Sequence, residues 1–183
     1  MIRTLWLLAR GRVDGGSSDT ATFGYARGTM SIPVAFAAAS VIEAVAIHFL
    51  VSWPWLRIVL LIATVLSLIA IGGWLAGRVV RPHLVSPRTA VFRSGAGIRV
   101  EVDRSRISRV SMVRRFGETA NAIVDDCLVL PGPDGTVVDV GFDRPVSVTL
   151  PKRLSKGSGS TLIDGLRLHV DQPGEFCAAL SRN

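Results

Sequence analysis

The sequence predicts an α+β membrane protein. An N-terminal hairpin of two transmembrane helices precedes an antiparallel β domain closed by one C-terminal helix. Three observations predict it. Two apolar runs, 32–52 and 56–77, carry almost no charge. Each holds about 20 residues, enough for a helix to cross roughly 30 Å of hydrocarbon. Only Trp53, Pro54 and Trp55 separate them, so the two helices are antiparallel neighbours. After Arg81-Pro82 the pattern changes to short runs that alternate apolar and polar residues, with turn residues between them.

Composition agrees. The chain has 183 residues, is 49% hydrophobic and has a mean hydropathy of +0.42. That value is odd for a soluble protein and ordinary once residues 32–77 are set aside. The remaining C-terminal stretch, roughly 100 residues, suffices for one core. The formal charge of +7 is spread along the chain. Residues 1–30 carry Arg3, Arg10, Arg12 and Arg27 against Asp14 and Asp19, and residues 31–82 carry Arg57, Arg78 and Arg81 against Glu43. No segment is basic enough for a nucleic-acid arm, and no aromatics interleave with the arginines to stack bases. Nucleic acid is therefore excluded as a partner. A mild excess beside a membrane fits orientation or attraction to anionic headgroups.

The elements follow in order. Residues 1–30 form a cytoplasmic N-terminal segment. In it, Met1 to Arg12 suits a short interfacial helix or strand, with Leu5, Trp6, Leu7 and Leu8 toward lipid. Asp14 to Thr22 reads as a flexible polar linker. Leu5 to Ala9 is too short for the apolar core of a signal peptide. The hairpin occupies 31–78. Pro33 fits the first turn of its first span, where a missing N–H costs nothing. That span carries small residues (Ala35, Ala37, Ala38, Ala39, Ser40, Ala44, Ala46), which let a second helix approach closely. Trp53, Trp55 and Trp74 sit at span ends, where indoles favour headgroups. Arginines flank the outer ends of both spans. By the positive-inside rule both termini are then cytoplasmic in a multi-pass plasma-membrane protein.

The β domain occupies 83–183. Strands are expected over 89–93, 98–102, 107–113, 122–130, 136–140, 146–150 and 165–170. Pro131-Gly132-Pro133-Asp134-Gly135 is a turn, and Lys152 to Ser160 a basic loop. A helix closes the domain over 176–181, with Asp171 placed to cap it and Glu175 in its first turn. Cys127 and Cys177 fit reduced cytoplasmic thiols, with no partner at metal-ligand spacing.

The hairpin, Arg81-Pro82, a strand into Phe92-Arg93-Ser94-Gly95, the segment Val102 to Val110 with Ile107, and the closing Val170-Asp171-Gln172-Pro173-Gly174-Glu175-Phe176 together resemble bacterial membrane proteins with a pleckstrin-homology-like domain. The resemblance covers 32–183. Glu43 and His48 resemble a Glu-x-x-x-x-His pattern of some actinobacterial members. The resemblance implies a bent antiparallel sheet or barrel closed by one helix, and no activity. Asp103-Arg104-Ser105-Arg106 departs from the apolar-Pro-aromatic turn common there, which leaves the strand register open at that point.

Two sets of residues stand out. Glu43 lies near the middle of the first span, where a carboxylate costs a few kcal/mol. It either hydrogen-bonds to Thr64 or Ser67 of the second helix or lies on a proton or ion path. His48 is five residues on, roughly 140° around the helix, and fits a packing or headgroup contact near the outer interface. The second set is basic: Arg104, Arg106, Arg109, Arg114 and Arg115, with Arg78 and Arg81. These either face inner-leaflet phosphates, at about 1 kcal/mol per contact, or form a solvated face. Asp125-Asp126 and Asp139 with Asp143 lack calcium-loop spacing and fit turns or strand ends. No catalytic constellation, metal site or cofactor motif is legible. The expected function is non-enzymatic: a membrane-anchored interaction module at the inner leaflet, binding protein or anionic lipid. Its partners are the bilayer and either another membrane protein or a second copy. The alternative is a subunit of a small oligomeric transport or proton-conducting assembly using Glu43.

Overall fold

The two long helices are an insertion between neighbouring strands of one sheet. The computed structural model describes residues 19–95, 97–151, 154 and 160–181. The Met1–Arg12 segment, most of the Asp14–Thr22 linker and most of the Lys152–Ser160 loop lie outside the described residues. Strand β1 (Ala21–Phe23) pairs antiparallel with β2 (His83–Val85), Phe23 opposite His83 and Ala21 opposite Val85. Helices α1 (Ser31–Leu50) and α2 (Pro54–Val79) run between them. The end of the stretch that reads as a linker thus supplies a strand, three residues too short to carry an alternation signal of its own. Phe23 from it enters the core.

Both helices are long and apolar enough to cross a membrane, and neither has its apolar window buried. Pro54 opens α2, where its missing N–H is tolerated. In α1, Pro33, Ala37, Ser40, Ala44, Ala46 and Ile47 are half-buried, and all of these but Ala46 recur at three- and four-residue spacing. That is the periodicity of one helix face, and part of the small-residue set lies on it, against α2. The last turns of α2 are buried at Gly73 and Ala76, as is Val80 beyond them, where the helix runs into the β domain.

The first sheet has the order β1-β2-β3-β4, with β3 at Thr89–Ser94 and β4 at Ile98–Asp103. In β4 the alternation is clean: Ile98, Val100 and Val102 are buried, and Arg99, Glu101 and Asp103 are exposed. Asp103 then caps a single 3-10 turn, Arg104–Arg106, by accepting from the Ser105 amide at 2.9 Å and its hydroxyl at 2.8 Å. This turn carries the chain to the second sheet and resolves the register left open there.

The second sheet is built from β5 (Ile107–Arg115), β6 (Ala122–Val124), β7 (Cys127–Leu130), β8 (Thr136–Thr149) and β9 (Ser160–Leu168), in the order β5-β8-β9-β7-β6. The expected antiparallel sheet is in fact mixed, because β9 inserts between β7 and β8 and runs parallel to β7. Alternation reveals strands but not their partners, so this crossing was not legible. The stretch 122–130 is two strands, broken where Asp125 and Asp126 both take positive φ, 49° and 55°, as a two-residue hairpin turn requires. Conversely, the strands expected at 136–140 and 146–150 are one, with a register shift between Gly141 and Val146. Gly165 has no side chain because a Cβ would come within 2.6 Å of the Val140 carbonyl. Helix α3 (Pro173–Ser181) packs on β5 and β8 and sends Phe176 and Leu180 into the core. There Phe176 meets Phe23 edge-on at 5.1 Å between ring centroids.

Candidate functional site at the junction of hairpin and β domain

The hairpin meets the β domain around Tyr25 and His83, two side chains that share no sequence motif. His83, the first residue of β2, is completely enclosed among Tyr25, Phe92 and Phe176, with centroids 4.9, 6.3 and 5.9 Å away. Its Nδ1 accepts the Arg93 amide N–H at 3.1 Å. The other nitrogen, Nε2, therefore carries the proton and donates to the His169 carbonyl at 3.3 Å. Burial pushes the imidazole down to about 4, and the bond to the His169 carbonyl only partly opposes this. His83 is thus a neutral crosslink between the two sheets.

Tyr25 accepts the Gly95 amide at 3.1 Å through its hydroxyl. Burial pushes this phenol up, against the Gly95 bond and the charges of Arg78, Arg81 and Arg93, which pull it down. Those three arginines come from α2, the α2–β2 connection and β3, so the fold gathers positive charge where the hairpin ends. Next to Tyr25, Asp171 accepts the Ala26 amide at 3.2 Å and the Arg27 amide at 3.0 Å. Asp171 was expected to cap α3. Its carboxylate is instead committed to the N-terminal segment, and the Gln172 carbonyl takes the first helical amide, that of Phe176.

The arginines of the basic set part company. Arg78 lies over the Trp74 ring, 4.3 Å from its centroid, with its Nε buried and unpartnered among the described residues. Arg81 is half-buried beside it in sequence. Arg114 lies over Phe116 at 5.4 Å, and both side chains are exposed. Arg114 acts electrostatically on His169, whose backbone carbonyl accepts from His83. Arg109 is exposed. The others have protein partners. Arg104 donates to the Ala179 and Leu180 carbonyls at 2.9 and 3.1 Å and to the Ser86 carbonyl at 3.3 Å. Arg106 donates to the Pro145 carbonyl and lies 3.8 Å from Asp143. Arg115 pairs with Asp139 at 2.6 Å. Arg167, not singled out by sequence, bridges Glu118 and Asp125 at 3.0 and 3.4 Å. The sequence signal for the missed aromatics was thin: a lone tyrosine, and a phenylalanine directly after two arginines.

Glu43 and His48 stand apart from this junction. Both are exposed on α1. Thr64 gives its hydroxyl proton to the Leu60 carbonyl of its own helix, not to Glu43. Among the described residues, Glu43 makes no hydrogen bond to Thr64 or Ser67. His48 packs edge-on against Phe49. Burial pushes both thiols, Cys127 and Cys177, up, which favours their protonated form. Among the described residues, no group of three His, Cys, Asp or Glu side chains is placed to hold a metal ion.

Compared with protein-family models, with curated proteins and with solved structures, the chain finds no match.

Proposed function

We propose that this chain is a membrane-anchored, non-enzymatic interaction module whose PH-like β domain rests against the cytoplasmic leaflet and binds anionic headgroups. The observation that carries this reading is the insertion of the apolar hairpin between β1 and β2. Both helices leave the domain between two adjacent strands, so the domain sits at the base of the hairpin on one side of the bilayer. Trp74 with Arg78 and Phe116 with Arg114 supply the chemistry. An aromatic ring favours the headgroup region, and a guanidinium beside it binds phosphate oxygens.

The test uses the full chain, with Cys127 and Cys177 replaced by Ser and a nitroxide label on Phe116→Cys. In vesicles containing anionic lipid the label becomes accessible to oxygen and shielded from an aqueous nickel reagent. High salt reverses this, because the Debye length falls from about 10 Å at 0.1 M to about 3 Å at 1 M. A label at Val124, on the far edge strand, serves as the aqueous control. Equal accessibility at both positions, whatever the lipid, removes headgroup binding and leaves a protein partner as the explanation of the domain.

A second reading, a subunit of an oligomeric proton- or ion-conducting assembly, draws support from Glu43. Its side chain is exposed on α1, as a group shared between subunits must be in the separate chain. Flux measured in reconstituted vesicles, lost in Glu43→Gln, is its test.

A further inference from the structure

Glu43 is the only acidic residue in either long apolar helix. It is exposed near the middle of α1 and has no hydrogen-bond or ion-pair partner among the described residues. The α1 face against α2 is made by Pro33, Ala37, Ser40, Ala44 and Ile47. At 100° per residue, Glu43 lies roughly 80° away from the centre of that face. Its own face carries Phe36, Ala39 and Leu50, all exposed, and the half-buried Ala46. In hydrocarbon, no lipid atom can satisfy a carboxyl at that depth, so the group needs a protein partner.

A second copy of the chain meets the requirement with no further residue. Copies inserted into one membrane share one orientation, set by the flanking arginines. A two-fold axis relating them therefore runs along the membrane normal, and a residue on the contact face meets its own counterpart at equal depth. A carboxyl bearing its proton is donor and acceptor at once, so Glu43 is complementary to Glu43. Ala39 and Ala46, four residues before and three after, lie on the same face and let the two backbones come close enough for the carboxyls to touch.

We infer that two copies of this chain dimerise in the membrane through the α1 face bearing Ala39, Glu43 and Ala46, with the two Glu43 carboxyls hydrogen-bonded across the two-fold axis. This rests on the reading of the hairpin as membrane-spanning and names the partner that reading leaves open.

The test is disulfide crosslinking of the full chain in native membranes, with Cys127 and Cys177 replaced by Ser. Single cysteines go at Ala39, Ala46 and, on the opposite flank of α1, Val45. Crosslinked dimer is expected from Ala39→Cys and Ala46→Cys and not from Val45→Cys. Glu43→Leu should weaken association in lipid vesicles by about tenfold, the scale of one interhelical polar contact, whereas Glu43→Gln should retain it. Crosslinking that favours Val45→Cys, or none at any position, overturns the dimer. So does a Glu43→Leu chain that associates as well as the unsubstituted one, because leucine suits a lipid-facing position better than glutamate. Resistance to alkaline carbonate extraction is measured on the same membranes. A chain that resists extraction and fails to crosslink loses only the dimer. A chain that is extracted loses the anchor as well.

Discussion

Asp171 holds Ala26: its carboxylate accepts the Ala26 amide at 3.2 Å across 145 residues of sequence, and the neighbouring Arg27 amide at 3.0 Å. The Asp171 amide returns a bond to the Gly24 carbonyl at 2.9 Å. The chain entering α1 is thereby fastened to the chain leaving β9. Two charge-assisted bonds to otherwise orphaned amides are at stake, so Asp171→Ala should destabilise the full chain by about 1–3 kcal/mol. Asp171→Asn should recover part of the loss, since its amide oxygen still accepts. Denaturant midpoints in detergent give the comparison. Equal midpoints for Asp171→Ala and the unsubstituted chain would rule out the fastening role.

His83 gives the fold a pH dependence with a definite sign. Its folded value is about 4 against 6.5 for the free side chain, so the unfolded chain binds a proton that the folded chain refuses. The stability this group protects is complete above pH 6.5, declines as pH falls from 6.5 toward 4, and declines no further below that. Between pH 7 and pH 5, above the range where most carboxylates titrate, the loss amounts to about 2 kcal/mol. His169, whose imidazole burial also pushes down, adds to it in the same direction. Unfolding free energies at pH 7 and pH 5 measure this, and His83→Gln should reduce the difference. A variant with an unchanged difference would place the pH dependence elsewhere.

Arg104 is tied into the fold. Its guanidinium closes the C-terminal end of α3 by taking the Ala179 and Leu180 carbonyls, and it also binds the Ser86 carbonyl. A cation at a helix C-terminus meets both the unpaired carbonyls and the negative end of the dipole. Arg104→Gln should therefore lower stability by about 1–2 kcal/mol while leaving vesicle binding intact. Arg114→Gln should do the reverse, because that side chain is exposed and lies over Phe116. Thermal melts and nitroxide accessibility, measured on both variants, separate the two roles.

These residues show which parts of the structure the sequence could disclose. Signals that live within one segment were readable. The apolar length of α1 and α2 and the alternation of β4 both depend on neighbours a few positions away. Relations between distant segments were not. Nothing in Ala21-Thr22-Phe23 announces a partner at His83–Val85, and nothing in β9 announces that it will lie between β7 and β8. The arginines illustrate the same limit at the site. Spacing placed Arg104, Arg106 and Arg115 in one basic stretch, but whether each keeps a free charge depended on Ala179, Asp143 and Asp139, which only tertiary folding brings near.

The insertion of the hairpin makes the final prediction. Because β1 and β2 are antiparallel neighbours, the two ends of the inserted segment lie close together. A short Gly/Ser turn can therefore replace residues 29–80 without straining the sheet. The rejoined protein retains Phe23 in the core and Asp171 on the Ala26 and Arg27 amides. It should be soluble, with a mainly β circular-dichroism spectrum and a cooperative melt. The fragment 83–183, by contrast, starts at β2 and leaves that strand as a bare edge. It also forfeits the burial of Phe23, worth about 2–3 kcal/mol, together with the Asp171 bonds. Its melting temperature should fall well below that of the rejoined protein, and its exposed β2 edge should promote aggregation. Equal melting of the two proteins would mean that β1 adds nothing to the domain, and that the hairpin is a preceding anchor instead of an insertion within it.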